Sequence, residues 1–140
     1  RILNLIIRPI ISVSLLQEFM SWLLQTHGVY FAEEMLLVGP EEIELFDQAR
    51  LKDRTRFWAA PEVYESLPPE TQQQIHGIKF FTDGALGVRT AALHENYRDD
   101  PQRGILIYEN SNELQTLIQH YRTRQKPMAF HAIGDRSIDQ

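Results

Sequence analysis

The sequence predicts an α/β fold of parallel strands alternating with helices, on three observations. Four short runs rich in β-branched and aromatic residues are separated by stretches with helical apolar spacing, the pattern of repeated βαβ units. Its 140 residues, 43% of them hydrophobic, suffice for one compact domain or part of one, without the composition of a disordered chain. No Gly-x-Gly-x-x-Gly or P-loop pattern favours a nucleotide-binding sheet, although periodicity alone leaves both a barrel and a doubly wound sheet open.

In chain order, Ser14 with Gln17 resembles a capping box. Leu15, Leu16, Phe19, Met20, Leu23 and Leu24 then recur at helical spacing up to Gly28, so residues 14 to 27 are predicted helical. Val29 to Ala32 lacks helical period and is the first strand candidate, after which Pro40 opens a helix through Leu51. Thr55 to Ala60 is the second strand, followed by Pro61, a Pro68-Pro69 turn and a helical turn from Thr71 to Ile75. Gly77 to Asp83 is the third strand. The irregular segment from Gly84 to about Glu109 has the length of an active-site loop. Asn110 with Glu113 caps a helix whose stripe is Leu114, Leu117, Ile118 and Tyr121, ending near Gln125; Pro127 to His131 is the fourth strand.

Composition excludes several classes. A formal charge of −5 without a run of basic residues gives no footprint for a phosphate backbone, so no nucleic-acid partner is expected. Without cysteine there are no disulfides, thiolate nucleophiles or cysteine zinc sites. Arg8, Pro9, Gln17 and Glu18 interrupt the apolar stretch from Ile2 to Leu24, which predicts neither a membrane span nor a signal peptide. A cytoplasmic location is the default expectation. The first residue is Arg1, and a helix is only opening at Gly134-Asp135 when the sequence stops, so residues 1–140 are expected to be an internal portion of a longer domain.

Lys79 interrupts Ile78, Phe80 and Phe81 in a strand expected to be covered on both faces. Burial disfavours its ammonium, and a neutral amine can form a Schiff base or take up carbon dioxide as an anionic carbamate; alternatively its head reaches water from a strand end. His131 closes the fourth strand, where parallel α/β folds place functional groups, or it is a hydrogen-bonded core-edge histidine. Asp83 could orient a ligand or substrate, or cap the Asp-Gly turn. Arg89 could hold a substrate carboxylate or pair with an acidic neighbour in its loop. Glu33 and Glu34 read as solvated acids after the first strand, and His27, His76, His94 and His120 lack metal-type spacing.

Two stretches carry more. Ile78 to Ala92, IKFFTDGALGVRTAA, and Phe130 to Asp135, FHAIGD, resemble in order and separation the central signatures of amidohydrolase family 3, within the metal-dependent hydrolases. The likeness extends more loosely upstream to about Gly28, and Val88 stands where relatives frequently carry Ser. The resemblance implies a partial (β/α)₈ TIM barrel. In it Lys79 would be the barrel's strand-four lysine, bridging metals as a carbamate, and His131 the strand-five metal ligand. It further implies a divalent metal, zinc by expectation, whose activated water cleaves an amide or related C–N bond of a small-molecule substrate.

The family's His-x-His pair, its later histidine and its final aspartate, the general base, have no counterpart in this sequence. Two ligands hold a catalytic zinc poorly, so the chain alone is expected to be inactive. Unpaired strand edges lead to an expectation of self-association. Two other readings stand beside this one: a Schiff-base lysine in an aldolase-like barrel, testable by borohydride trapping, and a non-catalytic interaction module retaining the signatures.

Overall fold

The computed structural model describes residues 12–140. The part of the apolar stretch before residue 12 lies outside the described residues. No helix among the described residues is long and apolar enough to cross a membrane. The chain divides into two compact units, the first ending at His76 and the second running from Gly77 to Gln140.

The first unit opens with helix α1, Val13–His27. Its cap is Ser12 rather than Ser14: the Ser12 hydroxyl accepts from the Leu15 N–H at 3.2 Å, two residues ahead of the expected box. Gly28, at φ 67°, closes the helix by donating to the Leu23 and Leu24 carbonyls. Met20 buries against Ala49 and Leu51, with Leu16, Leu23 and Phe46 around them. The apolar stripe predicted for α1 thus supplies one of the unit's core contacts.

Strand β1 is Ala32–Leu37, later than the expected Val29 to Ala32. Glu33 and Glu34 therefore lie inside the strand. The cost of Glu33 there is offset across the sheet, while Glu34 accepts from the Leu36 N–H of its own strand at 3.1 Å. Strand β2, Thr55–Ala59, pairs in parallel with β1, setting Glu33 beside Arg56. The Glu33 carboxylate accepts from the Arg56 guanidinium at 3.1 Å and from the Trp58 indole N–H, and these donors hold its pKa below the ordinary glutamate value. The aromatic residues ahead of β1 are not strand but platforms, with the guanidinium of Arg54 4.4 Å from the Tyr30 ring and that of Arg56 5.1 Å from Phe31.

Helix α2, Pro40–Gln48, begins at its proline and places Glu41 and Glu42 in the first turn, where the helix dipole favours them. Its Phe46 meets Phe57 of β2 edge to face at 5.3 Å. Lys52–Arg54 forms a short 3₁₀ turn into β2. Two short helices follow, α3 at Pro61–Ser66 and α4 at Pro69–Gln72. The first was not expected, being too short to show a stripe, yet it buries Tyr64. The helical turn expected from Thr71 to Ile75 instead ends at Gln72, because the next strand has begun by Ile75.

That strand, β3, is Ile75–Phe81, and in the second unit it pairs in parallel with β4, Met128–His131. Register sets Ile78 beside Met128, Lys79 beside Ala129, Phe80 beside Phe130 and Phe81 beside His131. Because side chains alternate, Ile78 and Phe80 share one face while Lys79 and Phe81 share the other. Both Ile78 and Phe80 are fully buried. Phe80 stacks on Phe130 at 5.0 Å and meets Tyr121 at 6.1 Å, the latter from helix α5, Ser111–Thr123. Full burial of one such phenyl contributes about 2–3 kcal/mol. Asn110 caps α5 by accepting from the Asn112 N–H at 3.0 Å, as its sequence position suggested. A last short helix, α6, is Asp135–Ile138.

Candidate metal centre

With α5 covering the Phe80 face, Lys79 and His131 fall on the opposite face of the β3–β4 pair, toward the carboxyl ends of the strands. His131 lies two register positions beyond Lys79, which places the two backbones roughly 7 Å apart along the strands and about 4.8 Å apart across them. One side chain touches both. The Lys79 ammonium sits 5.3 Å from the centroid of the Phe81 ring, and the His131 imidazole meets the same ring at 5.5 Å. The lysine is therefore not ringed by phenyls, as its neighbours in sequence implied, because Phe80 points the other way. Desolvation lowers the Lys79 pKa from its ordinary value, raising the fraction present as free amine.

His131 is held by backbone. Its Nε2 lies 2.9 Å from the Gly84 carbonyl oxygen, and a carbonyl can only accept, so Nε2 carries a proton and, in the neutral ring, Nδ1 has the lone pair. The side chain is 29% exposed. Behind it, the Thr82 hydroxyl donates to the His131 carbonyl at 2.7 Å and in turn accepts from the Ser137 hydroxyl at 2.6 Å, tying α6 to the end of β4.

Strand β3 ends at Phe81, which leaves Asp83 in the turn that follows. Its carboxylate is completely buried and faces backbone: Oδ1 accepts from the Ile133 N–H at 3.0 Å, and Oδ2 from Gly134 at 2.7 Å and Ala92 at 2.9 Å. Burial alone would raise the Asp83 pKa, but these three donors and the nearby His131 ring hold it below the usual aspartate value. Both oxygens are thus engaged in clamping two loops together.

Arg89, at φ 57°, forms an exposed two-point pair with Asp99: its Nε donates to Oδ1 at 3.1 Å and its Nη2 to Oδ2. The guanidinium is occupied by a loop carboxylate. The segment from Gly84 to Glu109 is ordered internally, with Leu93 N–H donating to Arg103 O at 2.8 Å and Ile105 N–H to Thr90 O at 3.1 Å. Its connection to α6 is equally direct, through Arg136 N–H to Ala92 O at 3.1 Å and His94 N–H to the Asp135 carboxylate at 2.9 Å.

Among the described residues no group of three or more His, Cys, Asp or Glu is placed to hold a metal ion. Lys79 and His131 do share one face and one ring, so that an amine shifted toward its neutral form and an imidazole could serve as two of the ligands of a larger set. The supports of His131 left little trace in the sequence, since the Gly84 carbonyl is backbone and Thr82 has no distinguishing neighbour.

Parallel strand pairs with intervening helices and polar groups at the strand ends are common to α/β enzymes, and comparison with known proteins narrows the class. A crystal structure of an uncharacterized metal-dependent hydrolase from Pyrococcus furiosus superposes with a TM-score of 0.70 and 27% identity over 93% of this chain and 31% of that one. Another uncharacterized metal-dependent hydrolase, from Pyrococcus horikoshii OT3, gives a TM-score of 0.67 and 27% identity over 93% and 30%. The fold is a partial α/β barrel of this class. The amidohydrolase family model matches residues 20–140, and the chain belongs to that family. The Bacillus subtilis (strain 168) protein YtcJ, which bears the amidohydrolase name, is 41% identical over 63 residues, 45% of this chain and 12% of that protein. The chain thus spans about a third of the hydrolase structures it resembles.

Proposed function

We propose that this chain forms part of a metal-dependent hydrolase that cleaves amide or other C–N bonds of small molecules, and that Lys79 and His131 supply two of its metal ligands. The observation that carries this reading is the placement of both side chains against Phe81, on one face of adjacent parallel strands. A divalent ion there, zinc by preference, would supply Lewis-acid polarisation of a substrate carbonyl and acidify a bound water. Lys79 contributes as a carbamate: its neutral Nζ forms a bond to the carbon of carbon dioxide, one proton leaves to solvent, and a cationic head becomes an anionic two-oxygen ligand. His131 contributes Nδ1, with Nε2–H held by Gly84. Arg89 is proposed to bind a substrate carboxylate that displaces Asp99, and Asp83 to serve substrate binding through the loops it holds.

Under ¹³C-bicarbonate with zinc, the complete hydrolase is expected to show a carbamate carbon signal that disappears on Lys79 substitution, and activity that chelator abolishes and zinc restores. An active enzyme free of metal, with no carbamate signal, would reject the assignment.

Alone, the chain is proposed to be inactive and to self-associate. Strand β4 leaves Phe130 43% exposed, and Ile105 and Ile107 are more exposed still. Gel filtration should therefore show species larger than a monomer as concentration rises; a sharp monomer peak at high concentration is the contrary result.

A further inference from the structure

The charged group most completely enclosed among the described residues of the second unit is Asp83, and its hydrogen bonds go to the backbone around the candidate centre. Building on the metal-ligand reading of His131, we propose that Asp83 is a positioning residue that locks the His131 imidazole in its Nε2–H form and presents Nδ1 outward. Two connections converge on the ring. Through its own chain, Asp83 leads directly into Gly84, whose carbonyl receives the Nε2 proton at 2.9 Å. Through space, Asp83 Oδ1 and Oδ2 grip the N–H groups of Ile133 and Gly134, two and three residues beyond His131, while Oδ1 itself lies 3.9 Å from Nε2. The third donor, Ala92, ties the same carboxylate to the loop that returns to α6.

An acceptor on each approach to Nε2 leaves a proton there as the favoured arrangement. The other tautomer would set an Nε2 lone pair against the Gly84 carbonyl, and a flipped ring would put Cε1 in place of Nε2 and abandon that bond. Partners of this kind behind a metal-ligating imidazole fix both its tautomer and its orientation. Asparagine at position 83 keeps the size but replaces one oxygen with a donor, which would face backbone N–H groups already donating toward it.

¹⁵N NMR of the imidazole in the full chain, at a pH well above histidine titration, tests this. His131 is expected to show one protonated and one unprotonated nitrogen, assigned to Nε2 and Nδ1, without averaging. Asp83→Asn should move both resonances toward averaged values while the circular dichroism of the fold persists. An averaged pair in the unsubstituted chain overturns the proposal, whatever the variant does, and so does a folded Asp83→Asn chain with unchanged resonances. Should the variant fail to fold, the unsubstituted spectrum alone decides. Titrating zinc into the complete hydrolase, which carries the remaining ligands, separates the two readings, because a locked tautomer whose Nδ1 ignores zinc there upholds the clamp and rejects the metal ligand. Where zinc does bind, Asp83→Asn should weaken it by roughly 10- to 100-fold.

Discussion

Replacing Lys79 by Met in the complete hydrolase is expected to lower kcat/KM by about a thousandfold or more and to reduce bound metal, while the melting temperature changes little. The asymmetry follows from what the side chain touches. Lys79 is half-buried, with its head over Phe81, and a methionine of similar length keeps the stem's packing on that ring. The head is what is lost. Losing about 4 kcal/mol of transition-state stabilisation corresponds to about three decades in rate, within the several kcal/mol that a catalytic ion supplies. Kinetics, metal analysis and a thermal melt on the same preparation check all three parts. Turnover within tenfold of the parent, with full metal content, would remove Lys79 from the centre.

The second large effect is structural. Gly134→Ala should cost about 3 kcal/mol or more and lower the melting temperature by roughly 10 °C, although Gly134 has an ordinary φ of −73°. What excludes a side chain is proximity: a Cβ there would lie 1.9 Å from the Ala92 carbonyl oxygen and 2.4 Å from its carbon. Nor can that backbone retreat cheaply, since Ala92 N–H is held by Asp83 and Ala92 O by Arg136 N–H. Gly87→Ala is the control, with no heavy atom within 4 Å of its Cβ, and should shift stability by no more than about 0.5 kcal/mol. Equal melting of both variants would show that the approach of the two loops is not a constraint.

Much of this arrangement was legible in the sequence where a local pattern determines it. The stripe of α5, its Asn110 cap and the alternation in β3 are set by neighbours a few residues away, and Lys79 and His131 stood out because strand position made a polar group there unusual. The misplacement of β1 has the opposite cause. Val29 to Ala32 has the aromatic and β-branched character of a strand, whereas Glu33 and Glu34 discourage one, and the compensation for Glu33 comes from Arg56 and Trp58, which a local window does not include. Asp83 shows a subtler limit: its position at a turn was readable, but its three partners are backbone amides, which carry no residue identity. The same holds for the Gly84 carbonyl that selects the His131 tautomer.

The bond from Leu93 to Arg103 closes the long segment after β3 into a stem below an exposed tip at residues 94–102, where Tyr97 N–H donates to Gln102 O at 3.0 Å. Insertions in that tip beyond His94, which is bonded to α6, would meet chiefly the slowly growing entropy of a longer loop, because the stem and the Asp83 clamp hold the residues next to His131. The length and chemistry of the tip can therefore change without retuning the His131 imidazole.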